Sequence, residues 1–334
     1  MRTAILLLAS TIAIGGCAGP NAIYPDDQNK NVVIRSDKLS VRFENKSEES
    51  KNYRVHKVLI PTRDNNGVVT EIKYWQSKRP GPKRFVIILP IYGSRTPEYL
   101  PIVLAKRLTY KNKGADFNVA LIREKGDLFD WDKLTESRTI EEFRSELSES
   151  VQRILQATRE ILGVLDWATG EPSIDPARAG IAGFSSGCIV ATIAMGVDRR
   201  INAGALTLCG GDLHEILAYS EADFIKKVQD NALRKFAKTR DEIRDIAKEA
   251  LASVNPSQFA EHIPPEKVIL FDAEFDSFIP LSARDGLWRA LQKPTREPTR
   301  IILPHDHKMS FLSMTPLWGN YTDKKIAAFF REKL

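Results

Sequence analysis

Apolar runs alternate along this chain with amphipathic stretches of helical period. Residues 55–60 (VHKVLI) and 68–74 (VVTEIKY) flank Asn66-Gly67. Two β-rich runs around an Asn-Gly pair predict a hairpin. Residues 85–89 (FVIIL) are continuously apolar, the pattern of a strand covered on both faces, and residues 117–122 repeat it. A long helix is predicted next, because Phe143, Leu147, Val151, Ile154, Leu155, Leu162 and Leu165 recur at three- and four-residue steps. Thr139-Ile140-Glu141-Glu142 opens it as a capping box. A strand over 179–182 leads into a small-residue helix over about 186–195. A strand over 203–209 closes on Gly210-Gly211. Strands over 268–271 and 300–303 bracket a helix near 282–291, and an amphipathic helix over 321–334 ends the chain. A hairpin followed by alternating strand and helix units predicts an α/β fold with a mostly parallel sheet.

One block breaks that rhythm. Residues 213–262 are helical and heavily charged, with no buried strand among them. Such a block is either a solvated surface insertion or a helical cap over the C-terminal edge of the sheet that shapes a substrate pocket. No repeat of solenoid period is present.

Composition narrows the classes. With 334 residues, 43% hydrophobic and 28% charged, the chain is long enough for a large core and excludes a fully disordered protein. The net charge of +6 comes from Lys and Arg interleaved with acids. Without a basic stripe, nucleic acid is not an expected partner; an anionic membrane surface is the more natural use of the excess.

The N-terminus carries its own signal. Arg2 precedes an apolar run over 4–9, weakly continued over 12–14, and Gly15-Gly16 lead into Cys17. This is the layout of a secretory signal peptide, too short and too broken to span a membrane well. Ile14-Gly15-Gly16-Cys17 resembles the bacterial lipobox, which implies cleavage before Cys17 and lipidation of that cysteine. Ala18 in the next position implies sorting to the outer membrane, facing the periplasm. The expected organisation is a signal peptide over 1–16, a lipidated tether over 17–31 and a folded body over 32–334. Multiple acyl chains, at about 0.8 kcal/mol per buried CH₂, would anchor it to the membrane firmly. The other cysteines, Cys188 and Cys209, sit in apolar, small-residue contexts expected of buried free thiols, although a periplasmic location permits a disulfide. No Cys/His spacing points to a metal site.

Gly183-Phe184-Ser185-Ser186-Gly187 matches G-x-S-x-G at a predicted strand-to-helix junction. The pattern has a steric cause: a sharp turn holds the Ser in a strained conformation, and glycines two before and two after remove side chains that would collide. With this motif in this context, the sequence from about residue 53 to 334 resembles the α/β-hydrolase superfamily. That resemblance implies an eight-stranded sheet and a nucleophile, acid and His in that chain order. A Ser hydroxyl needs a base, and the base needs an orienting carboxylate.

Carried onto these residues, the nucleophile is Ser185. The acid is Asp276 in the turn over 272–280 (DAEFDSFIP), with Ala273 standing where the family usually has Gly; Asp272 and Glu274 are its competitors. The base is His307, with His305 as its rival. His56 and His262 have no such placement, and His214 opens the helical block. The oxyanion hole falls to the backbone N–H groups of Ser186 and Tyr92, although Pro90-Ile91 replace the family's His-Gly. All three triad positions follow strands, where open α/β sheets place their sites. The expected function is a membrane-anchored serine hydrolase acting on small-molecule or lipid carboxylic esters through an acyl-enzyme, with no metal or organic cofactor. A peptidase or thioesterase using the same triad is the enzymatic alternative. A non-catalytic envelope binding protein of the same fold is the alternative of another class.

Overall fold

The computed structural model describes residues 42–44, 50–61, 69–93, 99–110, 116–123 and 126–334. The signal segment, Cys17, the tether and the Asn66-Gly67 turn lie outside them. Strands β1 (Arg42–Glu44), β2 (Tyr53–Pro61), β3 (Val69–Ser77), β4 (Lys83–Ile88), β5 (Phe117–Ile122), β6 (Ile174–Phe184), β7 (Ile201–Thr207), β8 (Val268–Ala273) and β9 (Thr299–Leu303) form one sheet in the order β1-β2-β3-β5-β4-β6-β7-β8-β9. The expected count was eight. The ninth is β1, a three-residue edge strand held antiparallel to β2 through Arg42↔Leu59, Phe43↔Val58 and Glu44↔Lys57. β2 and β3 pair antiparallel from Tyr53↔Ser77 to Pro61↔Val69, as the hairpin reading expected. From β5 across to β9 every pairing is parallel.

The apolar strands are buried on both faces because helices cover both. On β4, Phe85 and Ile87 point into one core while Val86 and Ile88 point into the other, the two-residue alternation of a pleated strand. Helices α1 (Tyr99–Leu108) and α11 (Tyr321–Lys333) cover one face through Leu104, Leu108, Ile326 and Phe330. Helix α2 (Trp131–Glu136), the 31-residue α3 (Ile140–Gly170) and α4 (Gly187–Val197) cover the other. Thr139 caps α3 by accepting from the Glu142 N–H at 3.2 Å. The Glu142 carboxylate, however, reaches one residue further back than a capping box requires, to the Arg138 N–H at 2.7 Å. Ile154 and Ile161 on α3 are fully buried, and truncating either to Ala would cost about 2–5 kcal/mol.

The charged block after β7 folds as α5 (Leu213–Tyr219), α6 (Asp223–Lys235), α7 (Arg240–Ala250) and α8 (Pro256–Ala260). It is not a detached surface insertion. Val228, Ala232, Ile243, Ala247, Leu251 and Phe259 join the core that α3 and α4 share with the sheet. Polar ties reinforce this: Asn231 donates to the Ser137 carbonyl at 3.1 Å. Thr239 and Glu242 form a complete capping box at the start of α7. Helix α9 (Leu281–Leu291) and the short α10 (His307–Phe311) follow β8 and β9. No helix of the described residues is long and apolar enough to cross a membrane.

The expectation of free thiols at Cys188 and Cys209 is corrected. Their sulfurs are bonded, with Cα atoms 5.7 Å apart. The pair joins the first turn of α4 to the segment just beyond the end of β7. Adjacent parallel strands bring together two positions whose proximity their sequence separation of 21 does not reveal.

Candidate active site

Strand β6 ends at Phe184 and α4 begins at Gly187, so the chain reverses in two residues. Ser185 makes that turn with φ +49°, a left-handed conformation that costs a non-glycine residue of order 1–3 kcal/mol. The turn is pinned on both sides: the Ser185 N–H donates to the Thr207 carbonyl and the Cys188 N–H to the Ser185 carbonyl, each at 2.9 Å. The flanking glycines are sterically required. A Cβ at Gly187 would lie 2.4 Å from the Pro90 carbonyl oxygen, and one at Gly183 would lie 2.8 Å from the Gly187 carbonyl oxygen.

Ser185, His307 and Asp276 come together from three separate strand ends. His307 Nδ1 is 2.7 Å from Asp276 Oδ2, and His307 Nε2 is 3.2 Å from Ser185 Oγ. An ionised carboxylate only accepts, so Nδ1 carries the proton and donates to Asp276. Nε2 is then a free lone pair facing the serine hydroxyl. Asp276 is held by the backbone: its Oδ1 accepts from the Phe278 and Ile279 N–H groups, both at 2.9 Å. Asp276 and His307 are buried, where an ion pair is poorly screened. The His307 ring stacks on Phe278, with centroids 5.1 Å apart and planes 18° apart, and meets Phe311 edge-on at 5.3 Å.

The competitors go elsewhere. Asp272 pairs with Arg300 Nε at 2.5 Å; burial still pushes its carboxyl above the usual range despite that guanidinium. Glu274 is exposed. The His305 ring packs edge-on against Trp318 at 4.1 Å. His214 sits beside Glu215, with Nε2 3.7 Å from Oε1, and burial lowers its pKa. His56 shares a hydrogen bond with Gln76 at 3.3 Å on the β2–β3 hairpin. Among the described residues no group of three or more His, Cys, Asp or Glu is placed to hold a metal ion.

The loop after β4 meets the serine turn directly: Ser186 Oγ donates to the Tyr92 carbonyl at 3.0 Å. Gly93 follows in a left-handed conformation at φ +73°, with the Asp127 carboxylate filling the space where a Cβ would stand. Residues 94–98 lie outside the described set. The Ser186 amide, at the start of α4, is one of the backbone donors that a helix N-terminus leaves without an internal partner.

Arg284 supports the acid turn and was not singled out in the sequence. Buried beneath the turn, it donates to the Ala273 carbonyl at 2.5 Å and the Ile279 carbonyl at 3.1 Å, tying together the two ends of the loop that carries Asp276. The available signal was its phase. Ala283, Leu287 and Leu291 mark the inward face of α9, and Arg284 lies on the flank of that stripe.

No protein-family model matches the sequence, and no curated protein matches it. Solved structures do. An acetyl xylan esterase from Paenibacillus sp. R4 superposes with a TM-score of 0.64 at 14% identity, covering 99% of this chain and 95% of its own. Acetyl xylan esterase 1 from Thermoanaerobacterium sp. JW/SL YS485 gives 0.60 at 15% identity, with 86% and 88% covered. The Pyrococcus horikoshii acylaminoacyl peptidase gives 0.55 at 16% identity, over 85% of this chain and 42% of the peptidase. With the strand order and the strand-to-helix turn at Ser185, these likenesses show that the chain has the α/β-hydrolase fold.

Proposed function

We propose that this protein is a serine hydrolase that cleaves carboxylic esters. The observation that carries the reading is the hydrogen-bonded series Ser185–His307–Asp276, with Ser185 held in a strained turn at the head of α4. Ser185 Oγ attacks the ester carbonyl carbon while His307 Nε2 takes its proton. Asp276 fixes the tautomer and stabilises the imidazolium. The tetrahedral oxyanion is held by the Ser186 and Tyr92 amides, a kind of contact whose loss typically costs about 10²–10³ in rate. As the carbonyl re-forms, the bond to the leaving oxygen breaks and the imidazolium gives its proton to the departing alcohol. Water, deprotonated by His307, then attacks the acyl-enzyme and releases the carboxylic acid and free Ser185.

The xylan esterase neighbours favour an ester over an amide or thioester bond, and the helical block over residues 213–262 is assigned the role of a cap that selects the substrate. The acylaminoacyl peptidase neighbour makes amide cleavage the second reading. In the same proposal, Cys17 is lipidated and the body hangs by residues 17–31 from the outer membrane into the periplasm.

The test is hydrolysis of p-nitrophenyl acetate, butyrate and octanoate by the full chain in detergent, beside Ser185→Ala. Turnover lost in the variant supports the reading. A folded wild type that turns over no ester and no amide counts against it.

A further inference from the structure

A row of aromatic rings leads away from His307, and three separate elements build it. Phe278 comes from the acid turn, Phe224 from the first turn of α6, and Phe129 and Trp131 from the segment entering α2. Phe278 lies against His307 at 5.1 Å, Phe224 meets Phe278 at 6.3 Å, Trp131 meets Phe224 at 5.1 Å, and Phe129 stacks on Trp131 at 5.0 Å. The rings are therefore continuous from the imidazole into the helical block. Phe129 is buried, yet Phe224, in the middle of the row, is 42% exposed. A scattered surface Phe needs no explanation. This one is braced by a ring on either side and leads directly to the catalytic histidine. A braced ring loses little further freedom on binding and presents its apolar face to whatever enters.

We infer that the Phe278–Phe224–Trp131 row is the subsite for the alcohol half of the substrate and that it takes a planar aromatic group there. The inference rests on the ester-hydrolase reading above. The side follows from chemistry: the leaving oxygen must receive its proton from His307 Nε2, so the alcohol departs past the histidine, and the row begins on that histidine. The group follows from geometry. Phe224, tilted against Trp131 and edge-on to Phe278, is the exposed ring of the row and offers its uncovered surface to another ring, a preference worth about two- to tenfold beyond the apolar area covered.

The experiment compares kcat/KM for 2-naphthylmethyl acetate and cyclohexylmethyl acetate, measured by acid release with the full chain, in wild type, Phe224→Leu and Phe224→Tyr. The naphthylmethyl ester should be favoured about two- to tenfold after scaling to apolar area. Leu should abolish that preference and Tyr should keep it. Turnover of both esters with no aromatic preference, or a preference that Leu leaves intact, overturns the subsite while leaving the hydrolase standing. If instead methyl 2-naphthoate over methyl cyclohexanecarboxylate is the ratio that Phe224→Leu changes, the row serves the acyl half and the assignment is wrong. No turnover of any ester, with no fluorophosphonate adduct on Ser185, overturns both readings.

Discussion

Gly187→Ala separates a steric role for the serine turn from mere sequence habit. The new Cβ would sit 2.4 Å from the Pro90 carbonyl oxygen and 3.4 Å from Leu89 Cβ. Both belong to the chain leaving β4, and the near atom is backbone, so no side chain can swing aside. Real Cβ contacts essentially never fall below 3.0 Å, so helix and strand end must separate by at least about 0.6 Å. Overpacking of this kind costs about 1–3 kcal/mol, while replacing a helical glycine returns roughly 0.5–1 kcal/mol. The net loss of stability is therefore modest, about 0–2.5 kcal/mol. Activity should suffer more. The displaced strand end carries Tyr92, and a misplacement near 1 Å can cost about 10² in rate, so kcat/KM for p-nitrophenyl butyrate should fall about ten- to a hundredfold. Gly196→Ala is the matched control. Its Cβ would lie 2.6 Å from the Phe259 carbonyl oxygen at the far end of the same helix. It should lose comparable stability in a denaturant titration and keep most of its kcat/KM. Equal activity losses in the two variants, or full activity in Gly187→Ala, would refute the reasoning.

Asp276→Asn leaves a neutral amide against His307 Nδ1 and releases the tautomer; kcat should fall by about 10⁴, read in the same ester assay, with thermal stability as the check on folding. Ser185→Gly and Ser185→Ala should both be inactive, but only glycine relieves the φ of +49°; strain relief of about 1–3 kcal/mol, less roughly 0.4–1 kcal/mol of added unfolded-chain entropy, should leave the Gly variant more stable than the Ala variant by up to about 2.5 kcal/mol in urea. Asp272 gives a pH signature. Because burial raises its folded pKa above the unfolded value, the folded state holds the extra proton, and stability contributed by this carboxyl falls as pH rises from the unfolded to the folded pKa. The Tm of wild type minus that of Asp272→Asn should accordingly become more positive on acidification through that window, and a flat difference would speak against it.

Much of this architecture was legible because its causes are local. Continuous apolar runs mark strands covered on both faces, and β4 and β5 sit where those runs are. The spacing of Gly183, Ser185 and Gly187 is legible because backbone contacts at both glycines leave no room for a Cβ. Asp276 and His307 are implied by the resemblance to the α/β-hydrolase superfamily, whose chain order was laid onto the strand ends, and the structure brings both to Ser185. What sequence could not give depends on distant partners. Strand β1 is three residues long and carries no periodicity of its own; pairing with β2 is what defines it. The Cys188–Cys209 bond follows from strand adjacency. The charged block showed its helices but not its neighbours, since α6 and α7 read as solvated on most of their surface. Its contribution to the aromatic row required Phe224 to meet residues 93 positions earlier and 54 later, as Trp131 and Phe278 do.

The most direct test of Ser185 as nucleophile is intact-mass and peptide-level detection of a fluorophosphonate adduct on the full chain. One adduct, located on Ser185 and absent from both Ser185→Ala and unfolded wild type, is the expected result. A folded protein that forms no adduct, or forms it at another residue, would remove the basis for assigning it a serine-hydrolase mechanism at this site.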